Sequence, residues 1–164
     1  LSTQLANRRS NHRALTADRR GPPPTGGPVT NPTHFAVALH ALSVLAYRGE
    51  VTSSDVIAQS VSTNPVVVRR AMGKLVKAGI VRSVPGKHGG FELARPAKRI
   101  RLVEVFDAVT DDSTFRIHDN AENPRCAVSC GIKGVLSDVL ERVDGAVRKE
   151  LSKSSLADVV SQFS

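Results

Sequence analysis

Apolar residues along the chain fall into spaced stripes, and the spacing names the elements. Phe35, Ala38, Leu39, Leu42, Leu45 and Ala46 recur at three- and four-residue intervals, with Gly49 after them as a stop. That period predicts an amphipathic helix. In "VTSSDVIAQSV" Thr52 and Asp55 have capping-box spacing ahead of Val56, Ile57 and Val61, which predicts a second helix. A short polar break, "STN", follows. Asn64 can then cap a third helix whose first position is Pro65, a residue with no N–H to lose. Val68, Met72, Leu75 and Val76 form its inward stripe, and Gly79 is its stop. "IVRSV" and "FELAR" are β-prone runs on either side of "PGKHGG", the pattern of a hairpin. Three helices with a tight second-to-third turn and then a hairpin make a winged helix-turn-helix. The fold class expected is mainly α with a small β-hairpin wing and a long C-terminal helix.

The second half carries a different period. Leu102, Val105, Phe106 and Val109 share one helical face. A polar stretch to about Arg125 reads as a loop. A long helix is expected at about 130–152, where Ile132, Leu136, Val139, Val143 and Ala146 step by four, three, four and three. A mean step of 3.5 is a coiled-coil seam, so these five residues are the expected homodimer interface. Val135, Leu140 and Val147 widen the stripe enough to serve the chain's own core as well. Ser155 and Asp158 cap a short last helix.

Charge sharpens this picture. The chain has 164 residues, a net charge of +8 and a pI near 10.2, which points to a polyanionic partner. Half the excess sits in residues 1–31, which hold five arginines and one acid and are rich in Pro and Gly. They read as a disordered basic extension. Residues 32–98 read as the DNA-binding domain and 99–164 as a dimerisation and sensor region. Aromatics are 4% and there is no tryptophan, which argues against a stacking platform for single strands. No apolar run reaches the roughly 20 residues of a bilayer span, so no membrane role is expected and the chain reads as cytoplasmic. Phosphate-binding loop, metalloprotease helix and nucleophile elbow are all missing, and no enzyme activity is expected.

In a helix-turn-helix the second helix of the pair enters the major groove of double-stranded DNA. Asn64, Val66, Val67 and Arg70 would meet base edges, with valine methyls on thymine and Arg70 on guanine. Arg69, Lys74 and Lys77 would hold phosphates. Lys87 and His88 sit in the wing between glycines that would let the backbone approach the duplex, and they would touch it as well. Two such heads in a dimer imply a pseudo-palindromic operator.

Cys126 and Cys130 precede the long helix with Cys-x3-Cys spacing. Three readings stand: small hydrophobes, redox-active thiols, or metal ligands with outside help. "THFAVALHALSVLAY", "NPVVVRRAMGKLVKAGIV", "GKHGGFELAR", "RLVEVFDAV" and "NPRCAVSCGIKGVL", in that order, resemble the Rrf-two family of winged-helix regulators (the IscR, NsrR and CymR type), and within it the YwnA-like branch. The resemblance implies a dimeric transcription regulator, usually a repressor, with the long helix as dimer element. Cluster-binding members supply three cysteines ahead of that helix, and this chain has two. No cofactor is therefore expected, and an iron–sulfur cluster would need a ligand from elsewhere. Cys126 and Cys130 carry over as redox- or ligand-sensing candidates. The alternative function is a protein-interaction module that regulates a metabolic enzyme by complex formation.

Overall fold

The computed structural model describes residues 32–110, 115 and 117–163. The expectation for residues 1–31 lies outside these. Helix α1 spans Pro32–Arg48, α2 Ser54–Val61 and α3 Pro65–Lys77; strands β1 Val81–Val84 and β2 Gly90–Leu93 follow. A 3-10 turn, Ala97–Arg99, leads to α4 Leu102–Val109, α5 Ala127–Leu151 and α6 Leu156–Val160. The winged helix-turn-helix is present as the spacing predicts.

One core takes in Ala38, Leu42 and Leu45 of α1, Ile57 of α2, Val68, Met72 and Leu75 of α3, Val105 and Val109 of α4, and Leu156 of α6. Each large side chain so buried contributes about 1.5–3 kcal/mol relative to exposure. The core therefore runs straight across residue 98, where sequence had suggested a domain boundary. Helix α6 returns to it through backbone bonds from Leu102 N to Ser154 O (3.0 Å) and from Leu156 N to Ile100 O (2.8 Å). Ser155 caps α6, and its N–H donates to Asp158 Oδ2 at 2.7 Å.

Both ends of α3 are fixed by caps. Asn64 Oδ1 accepts from Val66 N at 2.8 Å, with Pro65 at the first position. At the other end Gly79 has φ +69°, and Gly79 and Ile80 donate to Val76 O and Leu75 O, both at 3.0 Å. This is a Schellman close, and its apolar pair, Leu75 and Ile80, is buried. The start of α2 differs from expectation by one residue. Ser53, not Thr52, is the cap, accepting from Val56 N at 3.3 Å. Thr52 is taken instead by the wing: it exchanges two backbone bonds of 2.9 Å with Phe91.

Where the wing meets α4, Arg95 Nη2 lies 2.7 Å from Glu104 Oε1, and Arg101 N donates to Glu104 Oε2 at 2.8 Å. Partial burial pushes the Glu104 carboxyl up, but the Arg101 N–H and the Arg95 guanidinium outweigh it and hold the group below the usual glutamate value. A lowered folded pKa gives stability that is present above the usual glutamate range and lost as pH falls through the folded value. Glu104→Gln is therefore expected to melt lower than the parent at pH 7, by less than about 1 kcal/mol because the pair is partly exposed. The gap should close on acidification. Melting curves from pH 7 down to pH 3 check this, and a gap that stays constant would contradict it.

Helix α5 stands apart, because none of its 25 residues is buried. Its last turns are tied to α4 by an ion pair from Arg148 to Asp107, with the guanidinium 5.7 Å from the Phe106 ring centroid. The stripe expected to serve the chain's own core as well leaves that core without a buried residue from α5.

Candidate nucleic-acid interface

Helix α3 has two faces. Val68, Met72 and Leu75 face the core. Val66, Arg70, Gly73 and Lys77 follow one another at four, three and four positions, so they lie along the opposite side. Val66 is 53% exposed and Val67 40%, so neither methyl pair is spent on the fold. Gly73 leaves open space in the middle of that line, since a Cβ there would meet nothing within 4 Å. The line is therefore a shallow strip with a cation on either side of a bare backbone, and it can approach another surface closely.

The basic residues are not equivalent. Arg70 and Lys77 are exposed on the strip. Arg69 is exposed on the flank toward α2, where Nη1 lies 3.2 Å from Ser54 Oγ. Lys74 departs from the expected free phosphate contact. It is half-buried, and its Nζ donates to Val109 O at 3.2 Å. The C-terminal carbonyls of α4 carry the negative end of the helix dipole, which draws the ammonium there. Asn64 is exposed, but its side-chain oxygen is engaged in the cap.

In the wing Lys87 and His88 are both exposed on the turn between β1 and β2. Its glycines serve the turn itself. Gly86 has φ +113°, and a Cβ on Gly89 would lie 2.2 Å from Val84 O. Sequence reasoning assigned them to close approach of the duplex. It also missed Gly90, where a Cβ would lie 2.3 Å from Thr52 O; only the bridge between Thr52 and Phe91 reveals that need.

Cys126 is the N-cap of α5 and Cys130 sits in its first turn; Cys130 N donates to Cys126 O at 3.1 Å. The thiols stand one turn apart, with α-carbons separated by about 6 Å of helix rise, inside disulfide reach of up to about 6.8 Å. Cys130 is exposed and Cys126 half-buried. Among the described residues no group of three or more His, Cys, Asp or Glu converges on one point. Two thiols fall short of the donor set of an iron–sulfur cluster, so the residues present do not fit one.

On α5 the seam is open. Val139 and Val143 are exposed, Ile132 and Leu136 half-buried and Ala146 exposed. Val128 and Val135, 70% and 60% exposed, extend the same uncovered side. Among the described residues no helix is long and apolar enough to cross a membrane.

Comparison with known proteins places this arrangement. A family model described as "Rrf2: Iron-dependent Transcriptional regulator" matches residues 32–162. The candidate HTH-type transcriptional regulator YwnA of Bacillus subtilis (strain 168) is 42% identical over 132 residues, covering 80% of this chain and 97% of that protein. The HTH-type transcriptional regulator IscR of Cereibacter sphaeroides is 33% identical over 92 residues, covering 53% and 56%. Among solved structures, a candidate DNA-binding protein superposes with TM-score 0.61 at 39% identity, covering 77% of this chain and 97% of that one. The IscR of T. potens superposes at 0.59 with 22% identity, covering 80% and 86%, a likeness of fold.

Proposed function

Since the chain belongs to the Rrf2 family of transcriptional regulators, a DNA-binding class and not an enzyme, we propose that it acts as a homodimeric repressor that reads a two-fold operator with α3 and responds to the state of Cys126 and Cys130. The observation that carries this reading is the exposed strip of Val66, Arg70, Gly73 and Lys77, opposite a fully buried stripe on the same helix. Valine methyls at the helix start suit thymine methyls, and Arg70 suits the two acceptors of guanine. Lys77 and Arg69 suit phosphates, and the wing adds Lys87 and His88. The uncovered seam of α5, from Ile132 to Ala146, suits a second copy of itself, because a two-fold axis sets the same apolar patch against its mate.

Arg70→Ala is expected to relax base preference at one operator position, at a cost of about 1–3 kcal/mol in specific binding. Lys77→Ala is expected to weaken matched and scrambled duplexes alike and to flatten the salt dependence by about one phosphate. Anisotropy titrations with both duplexes at two salt concentrations check this. Unchanged affinity in both variants would count against the docking of α3.

The thiols supply a switch that needs no metal. Exchange with a small disulfide such as oxidised glutathione would close a bond between Cys126 and Cys130, releasing two equivalents of the reduced thiol; both electrons pass to the reagent and both protons leave the cysteines. The bond would pinch the start of α5 and alter the spacing of the two heads. Specific affinity is expected to differ between reduced and oxidised protein, and Cys126→Ser is expected to abolish the difference. Equal affinity in both states would leave the cysteines a packing role only.

A further inference from the structure

Gly73 lies well inside α3, with eight helical residues before it and four after. Glycine is the poorest interior helix former after proline, because it loses the most backbone freedom on folding. A glycine there weakens the helix unless the structure has a use for it. Two uses within the fold can be checked. A left-handed backbone is one, and Gly49, Gly79 and Gly86 have it; Gly73 does not. Close approach by a neighbour is the other. Gly89 and Gly90 show it, since a Cβ would lie 2.2 Å from Val84 O and 2.3 Å from Thr52 O. At Gly73 a Cβ would meet nothing within 4 Å among the described residues. Gly131, Gly134 and Gly145 of α5 are equally open, so space alone does not single Gly73 out. Position does. It stands on the exposed strip between Arg70 and Lys77, directly opposite the buried Val68, Met72 and Leu75.

We infer that Gly73 is a positioning residue that sets how deeply α3 enters the major groove. The inference rests on the reading of α3 as the DNA-facing helix. A helix with its side chains is about 10–12 Å across and the groove about 12 Å wide, so the fit is tight. Without side chains the α-carbons lie only about 2.3 Å from the axis. The missing side chain at Gly73 lets the middle of the helix settle toward the groove floor. Arg70, about 4.5 Å earlier along the axis, and Val66 before it are then brought within reach of base edges. A branched apolar side chain at the same point would stand between backbone and floor and lift both away. Phosphates line the rim of the groove, so contacts to them depend less on depth.

The experiment measures thermal melting of the DNA-free protein and anisotropy on a matched and a scrambled duplex for Gly73→Ala, Gly73→Leu, Arg70→Ala and the Gly73→Leu/Arg70→Ala double variant. Gly73→Ala is expected to melt about 2–5 °C above the parent, as a better helix former in open space. Its affinity for the matched duplex should fall about threefold, and that of Gly73→Leu more than about tenfold. Binding to the scrambled duplex should stay within about twofold in both, because phosphates carry it. Stability and selectivity then move in opposite directions, which a glycine serving only the fold would not produce. Arg70→Ala should cost less in the Gly73→Leu background than alone, since the lifted helix has already lost that contact. Unchanged matched affinity in both glycine variants would overturn the inference. So would equal losses on the two duplexes, which would put Gly73 against the phosphate backbone. A lower melting temperature for Gly73→Ala would make the glycine a need of the fold, and strictly additive losses in the double variant would separate it from Arg70; either overturns it too. The two readings fail separately: selective binding that survives Gly73→Leu sinks only this inference, whereas a wild-type protein that prefers no duplex sinks the DNA reading first.

Discussion

Val139→Asp is expected to split the proposed homodimer into folded monomers and to lower affinity for a two-fold operator by a hundredfold or more. Val139 lies midway along the seam, with Leu136 and Val143 one turn to either side. In a two-fold pairing each substitution appears twice, so two carboxylates would enter one apolar seam. Burying an unpaired charge costs several kcal/mol, enough to separate a helix pair of this size. Joining two heads raises affinity by about 10²–10⁴ over one head, and that gain would vanish. The fold should survive, because α5 contributes no buried residue to the core. Sedimentation would report half the mass, and the spectrum of the core methyls would be retained. A variant that stays dimeric with parental affinity would show that the open side of α5 is not the interface.

Gly90→Ala is the second large effect expected, and it acts on the fold. An added Cβ would meet Thr52 O at 2.3 Å, Thr52 C at 2.5 Å and Ser53 N at 2.8 Å, all of them backbone atoms with no rotamer to move. The strand must shift, and the two 2.9 Å bonds between Thr52 and Phe91 go with it. Ser53 is the cap of α2, so the disturbance also reaches the helix that supports α3. Overpacking and two lost backbone bonds together cost on the order of 3 kcal/mol. Gly73→Ala is the control, since it adds the same methyl group to open space. Denaturant unfolding of both variants checks the contrast, and equal midpoints would contradict it.

Much of this architecture is readable from local signals. Asn64, Pro65 and Gly79 announce the ends of α3, because caps act through the nearest few residues. The helix of α5 and its apolar stripe are readable for the same reason, as a period needs no knowledge of what lies across from it. Pairings distant in sequence were out of reach. Thr52 looks like a cap from its own neighbours, yet Phe91 claims it from across the fold. Lys74 reads as one more cation on a basic helix until Val109 O is found beside it. Residue 98 looked like a boundary because the wing ends there, but Val105, Val109 and Leu156 complete the core of the first half.

The most direct test of the central claim is selection of bound duplexes from a random pool by the reduced protein at near-physiological salt, followed by sequencing. Two α3 heads joined by α5 predict an inverted repeat with half-sites about one helical turn or a multiple apart, and Val139→Asp should reduce it to a weak single half-site. An unenriched pool, or one asymmetric site retained in full by the Val139→Asp protein, would contradict a dimer that reads DNA through α3.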